Sequence, residues 1–332
     1  MPRSFPLLKL PSLCFEAIFQ NINAVDLVHF SLVSKRCYWL LKSIKSPVKE
    51  LYFNQKCGSL FFGPACEEWR INFCNYQEQA DIVVNINGSE VKTFWNHTRA
   101  YSYSNQSVFE FYKCAVPYLL DIFKCQVNEC LFNIDDIPDL TEILDYGFTS
   151  CRDFHLEGNR LVRDEEMLSI IEKLTVKKYS LFLNLSKTFN CNPRIFKTDF
   201  LGLGSNSAKW LSKETLQHIP HIRMYRKPRI SLTAEDFIAF VGQWYHSENR
   251  TFKSLIFRVG WELPNNLLTQ FNPRDYVSKE RSPVFPFYKT RRVNCVGGKD
   301  ILRSDGLLAT VYRESSTIYF YVWHERFPEE II

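Results

Sequence analysis

Between residues 10 and 45, apolar positions recur with helical spacing in three short blocks. Cys14, Ile18 and Ile22 fall at i, i+4 and i+8, with Leu13 and Ala17 beside them, so they draw one stripe along a helix. That helix opens at Pro11, whose missing N–H costs nothing in a first turn. Asn21-Ile22-Asn23 interrupts the stripe. Leu27 and Phe30 mark a second helix over Val25–Val33, and Ser34 can cap a third that carries Tyr38, Leu41 and Ile44 before Pro47 ends it. Three helices of about ten residues each bury little by themselves. The unit therefore either packs on the rest of the chain or offers its apolar surface to a partner, and the pattern leaves both open.

Residues 47–125 sustain no period and read as an irregular connecting region. From 126 to 332 short apolar segments alternate with helical ones. Strands are predicted at Cys130–Ile134, Phe154–Leu156, Leu181–Leu185, Ile222–Met224 and Leu255–Phe257, and helices at Asp139–Tyr146, Asp164–Leu174, Leu211–His218 and Thr233–Tyr245. The last helix is the best marked. Thr233 can cap it, Asp236 stands three residues on, and Phe237, Phe240, Val241 and Trp244 form its stripe. One strand and one helix per unit at irregular intervals suggests a leucine-rich-repeat-like arrangement. The repeat's LxxLxLxxN signature is absent, and an ordinary α/β sheet fits the same spacing. Leu307–Tyr312 and Ile318–Trp323 read as a terminal β-hairpin. The expected fold class is α/β.

Composition adds limits. The 332 residues are 45% hydrophobic and 23% charged, with 28 Phe and 16 Tyr against 12 Gly, which favours packed elements over linkers. No apolar run approaches the roughly 18–20 residues of a membrane span. Lys9, Pro11 and Glu16 break the first apolar stretch, so a signal peptide is not expected and the expected compartment is cytoplasm or nucleus. The 11 cysteines include no CxxC pair and read as reduced, mostly buried thiols. The net charge of +5 is uneven, for residues 201–300 carry 16 basic and 8 acidic groups. That stretch could meet nucleic acid or an acidic protein, or be plain solvated surface.

The search for chemistry returns little. Gly202-Leu203-Gly204 and Gly297-Gly298-Lys299 lack dinucleotide or P-loop spacing and are expected to be turns. There is no HExxH, GxSxG or EF-hand pattern. His218 and His221 have no further ligand at metal spacing. No catalytic residue, metal or cofactor is expected, and the chain reads as a non-enzyme. Arg223, Arg226, Lys227 and Arg229 surround Tyr225, a mixture of charge and stacking that could hold single-stranded nucleic acid or simply form a surface loop.

Two segments resemble known domains. Leu10-Pro11, Ile18, Asp26-Leu27 and Leu32-Val33-Ser34-Lys35-Arg36, followed by Tyr38-Trp39, are similar to the F-box over residues 5–46. Ser12 stands where that family usually has an acidic residue. Lys209-Trp210-Leu211 through Leu216, then Leu232-Thr233-Ala234-Glu235-Asp236-Phe237, Trp244 and Phe252–Leu255, resemble the F-box-associated domain type 2 of nematode F-box proteins, at about 200–262. The resemblance implies a substrate-recognition subunit of an SCF-type (Skp–cullin–F-box) ubiquitin ligase. Leu10, Pro11, Ile18, Leu27, Leu32 and Val33 would then contact the Skp adaptor, and the C-terminal domain would hold an unidentified protein substrate.

Overall fold

The computed structural model describes residues 10–63, 67–71, 82–96, 99–103, 107–186, 189–204, 218–225, 233–258, 267–288 and 291–328. The chain divides into two compact units, the first spanning residues 1–157 with 173–175 and the second 158–172 with 176–332.

The first unit opens with three helices, α1 (Ser12–Phe19), α2 (Ala24–Val33) and α3 (Lys35–Ser43). Their starts are written in the sequence. Pro11 precedes α1, and its carbonyl accepts the Cys14 N–H at 3.0 Å. Asn23 caps α2 by accepting the Asp26 N–H at 2.7 Å, and Ser34 caps α3 by accepting that of Cys37 at 3.2 Å. Each cap satisfies a backbone donor that the helix cannot.

The stretch expected to be irregular is instead structured. It holds β1 (Glu50–Asn54), β2 (Ser59–Phe62), β3 (Glu67–Ile71), β4 (Ile82–Ile86), β5 (Ser89–Asn96), β6 (Arg99–Tyr103) and a 16-residue helix, α4 (Val108–Phe123). With β7 (Gln126–Asn133) and the first part of β8 (Ser150–Val162), these strands form a mixed sheet in the order β8-β7-β1-β2-β3-β6-β5-β4. Its pairs are parallel at β8/β7, β7/β1 and β3/β6 and antiparallel elsewhere.

Helix α4 has two working surfaces. Toward the sheet, Phe111 meets Trp69 with ring centroids 5.5 Å apart, Tyr112 meets Phe53 at 5.8 Å, and Phe123 meets Phe62 at 5.9 Å. Toward the N-terminal helices, Tyr118 shares a 2.7 Å hydrogen bond with Ser31, while Asp121 accepts from the Tyr38 hydroxyl and from Lys42. The first N–H of α2 also donates to Glu67 on β3, a carboxylate suited to the positive end of a helix. The three short helices therefore share a core with the rest of their unit. The helix expected over Asp139–Tyr146 is a 3-10 helix at Leu140–Tyr146, closed by Gly147 at φ 80°.

The second unit contains α5 (Asp164–Lys173), β9 (Thr175–Leu185), β10 (Phe200–Leu203), β11 (His221–Met224), α6 (Ala234–His246), β12 (Ser254–Arg258), β13 (Arg274–Asp275), β14 (Val284–Phe287), β15 (Arg291–Asn294), β16 (Lys299–Leu302), β17 (Leu308–Glu314) and β18 (Thr317–Trp323). Strands β9 to β12 run parallel in sequence order, and β18, β17, β16 and β13 extend the sheet antiparallel. The expected terminal hairpin is β17–β18. The one-strand, one-helix repeat does not hold throughout, for a 3-10 turn at Pro193–Ile195 stands between β9 and β10. The unit is a mixed sheet rather than a uniform repeat.

One face of this sheet carries α6, entered through the expected capping box between Thr233 and Asp236, with both bonds at 3.2 Å. Phe237, Phe240 and Trp244 pack on Phe257 and Phe320. The β14–β15 ribbon covers part of the opposite face, setting Phe285 and Phe287 among Phe200, Ile256, Tyr321 and Trp323. It is tied down by Arg281, which is fully buried. Arg281 reaches Asp300 at 2.8 Å and the Cys295 carbonyl at 2.9 Å, and Asp300 accepts from Thr310. Gly202-Leu203, expected in a turn, lies in β10. A Cβ on Gly202 would come within 2.7 Å of the Tyr225 ring, so glycine is required there by close approach. Gly297-Gly298 does form a turn.

The Asp121 contacts join α3 to α4 at a partly exposed position. Replacing Asp121 with Ala is expected to lower unfolding free energy by about 1 kcal/mol, read as a shift of the urea midpoint at unchanged slope. A midpoint unaltered by the substitution would show that the two helices are held by packing alone.

Candidate functional site

The three N-terminal helices sort their apolar residues into two sets. Phe15, Phe19, Val25, Leu27, Val28, Cys37 and Leu41 are buried. Leu13, Val33 and Trp39 are not, at 76%, 73% and 60% exposure. Pro11 and Cys14 are exposed as well, while Leu10, Ile18 and Leu32 are half-buried. Trp39 lies edge-on to Tyr38 at 5.4 Å, with the Lys42 ammonium 5.0 Å from its ring. Three large apolar side chains are thus left in water on one short segment.

Of the six residues expected to contact a partner, Pro11 and Val33 are open and Leu10, Ile18 and Leu32 partly so. Leu27 faces inward at 0% exposure, because α2 turns this side toward its own unit. Leu13 and Trp39 were outside that set. Leu13 borders the expected α1 stripe of Cys14, Ile18 and Ile22, but the side that α1 buries is that of Phe15 and Phe19, which leaves the stripe open or half-buried; Trp39 follows the Tyr38 position of α3.

In the second unit, Arg223 lies over the Tyr225 ring at 4.7 Å, and Phe182 flanks that ring at 5.3 Å. Arg226, Lys227 and Arg229 of the expected basic cluster lie outside the described residues, as do Lys209–Leu216. A cleft of about 480 Å³ is lined by Asp199, His221, Lys253, Tyr288 and His324, among others. His221 Nδ1 is 2.8 Å from the Ser254 hydroxyl, but Ser254 is fully buried. Its oxygen is closed to a substrate, and the pair serves to orient the ring. Burial pushes His221 down to about 4, with Lys253 and His324 acting in the same direction. Burial likewise raises the Cys191 and Cys295 thiols to about 12, which keeps them protonated and poor nucleophiles. Among the described residues no group of three or more His, Cys, Asp or Glu is placed to hold a metal ion, and no helix is long and apolar enough to cross a membrane.

Comparison with known proteins bears on the N-terminal helices. Residues 7–48 match the F-box domain model. This segment is an F-box domain. Two curated relatives are uncharacterized Caenorhabditis elegans proteins. F59B2.9 is 25% identical over 190 residues, covering 54% of this chain and 43% of its own length. F59B2.8 is 30% identical over 109 residues, covering 29% and 24%. The chain thus spans less than half the length of the curated relatives it matches. No solved structure matches.

The F-box residues separate cleanly in their expected response to truncation. Leu27→Ala should cost about 2–4 kcal/mol by leaving a cavity. Leu13→Ala and Val33→Ala should stay within about 0.5 kcal/mol. Thermal and urea unfolding of the full chain decide between these values, and a large loss for Val33→Ala would mean that it packs internally.

His221 makes a pH-dependent contribution. The unfolded chain holds this imidazole near its ordinary 6.5, so between pH 6.5 and about 4 the unfolded state binds more protons. The stability due to the neutral ring is complete above pH 6.5 and is lost as pH falls toward 4. His221→Asn should make the decline in unfolding midpoint between about pH 7 and pH 5 shallower than in the parent. Parallel declines would show that the ring does not titrate with folding.

Proposed function

We propose that this chain is a substrate-recognition subunit of an SCF-type ubiquitin ligase. The observation that carries the reading is the F-box at residues 7–48, with Leu13, Val33 and Trp39 held in water on its helices. F-box domains in general bind Skp-type adaptors, which a cullin scaffold holds. An adaptor helix surface laid over Pro11, Leu13, Ile18, Leu32, Val33 and Trp39 would remove this apolar area from water, at about 25 cal/mol per Å² before the costs of association. Leu27 acts from inside, as a core residue of α2.

On this reading the protein makes and breaks no bonds. It raises the local concentration of a bound target beside the ubiquitin-conjugating enzyme. The target is a protein held by the remainder of the chain. The resemblance to an F-box-associated domain type 2 supports that division of labour. Its Thr233–Trp244 portion forms the capped helix α6, and its Phe252–Leu255 portion leads into β12.

Affinity capture with purified Skp-type adaptor tests the proposal. The intact chain should retain adaptor. The exposed double substitution Leu13→Asp with Val33→Asp should reduce capture about tenfold or more, with unfolding unchanged, and Leu10→Ala with Pro11→Ala should reduce it by less. Equal capture by all three proteins would discard the contact surface. Failure of the intact chain to retain adaptor would discard the function.

A further inference from the structure

Several guanidinium groups in the second unit are neutralised within it. Arg160 and Arg163 reach Glu166, Arg250 and Arg303 reach Asp305, and Arg281 reaches Asp300. Arg223 on β11 and Arg258 at the end of β12 are not so neutralised, and they stand on neighbouring strands. Among the described residues neither has a carboxylate within ion-pair distance. Both project from the face that the β14–β15 ribbon covers only in part. Arg223 pairs in register with Ile256, whose side chain joins the cluster beneath the ribbon, and Arg258 follows two residues later on the same strand. The row through Arg223 and Ile256 continues to Tyr319 on β18 and Tyr312 on β17. Those two rings lie 5.6 Å apart and are half-buried.

The spacing of the arginines follows from sheet geometry. One strand step of about 4.8 Å and two residues at about 3.3 Å each place their backbones roughly 8 Å apart. An extended peptide presents every second side chain to one side, about 6.8 Å apart. Carboxylates at i and i+2 of such a segment would meet the two guanidiniums, whose planar forks suit bidentate carboxylate contacts. Tyr312 and Tyr319 would floor the neighbouring positions. Nucleic acid fits less well. Tyr225 is covered by Arg223 and Phe182 and lies against Gly202, so it offers no open ring face for a base.

We propose that the Arg223–Arg258 strip binds an extended acidic peptide segment carrying carboxylates on alternate residues, and that this segment belongs to the protein substrate. The second clause rests on the ligase reading; the binding itself does not.

Fluorescence anisotropy with the full chain tests it, using labelled Glu-Ser and Lys-Ser alternating peptides of about ten residues. The Glu-Ser peptide should bind and the Lys-Ser peptide should not, with affinity falling as salt is added. Arg223→Ala with Arg258→Ala should weaken binding about tenfold, while Arg194→Ala, at an exposed site away from the strip, should leave it unchanged. A peptide with glutamates three residues apart should bind more weakly than the alternating one. Undiminished binding by the double variant, no binding of the Glu-Ser peptide by the parent, or its displacement by a lower concentration of oligothymidylate would each overturn the proposal. Adaptor capture by the same double variant is read in parallel and should be unchanged. Capture without peptide binding removes the strip alone, and peptide binding without capture removes the ligase reading alone.

Discussion

Helix α4 is the constraint on which the first unit is built. This 16-residue segment is apolar except along the line of Glu110, Lys113 and Asp121, and it satisfies its wide apolar surface against two structures at once. Aromatic side chains of β1, β2 and β3 take one side, and α2 and α3 of the F-box take another. Such a helix cannot stand alone in water, since its own hydrogen bonds do little to offset the loss of chain freedom. Docking on both partners makes the F-box and the sheet one core. The polar contacts at its rim, Tyr118 with Ser31 and Asp121 with Tyr38 and Lys42, set the angle and register of that docking more than they supply its energy.

The same helix shows why part of the fold was hidden from the sequence. The F-box was legible through the motif run Leu10-Pro11, Asp26-Leu27 and Leu32-Val33-Ser34-Lys35-Arg36, with helix starts marked at Pro11 and Ser34. Helix α4 has a polar line of Glu110, Lys113 and Asp121, but Pro117 stands on that line in mid-helix and reads as a breaker. Strands β1 to β6 are short and mix Glu with aromatic residues, so alternation is weak in any one of them and emerges only when they pair. Strand β10 was concealed by Gly202 and Gly204, which resemble a turn. They are small because Tyr225 and Phe182 occupy the space that side chains would need. Local pattern records a residue's own preference, whereas these positions are set by neighbours distant in sequence.

The candidate surface was readable to the same extent. The expected α1 stripe of Cys14, Ile18 and Ile22 missed Phe15 and Phe19, which the unit buries, and the α2 pattern did not show which apolar residues the rest of the unit would claim. Leu27 and Val33 lie on the same helix six residues apart, and the first is buried while the second is open. That division depends on where α4 and β3 come to lie, and nothing within residues 10–45 encodes it.

Strand β18 carries a consequence for how the protein is made. Though it lies late in the chain, it is an interior strand, hydrogen-bonded to β12 on one side and β17 on the other. Its Phe320 also supplies the floor on which Phe240 and Trp244 rest. During synthesis α6 and β12 leave the ribosome long before residue 320 is added. Until then Trp244 lacks the Phe320 ring on which it rests, and one edge of β12 is open to pairing with other chains. The sheet of the second unit can therefore close only once β18 has been made.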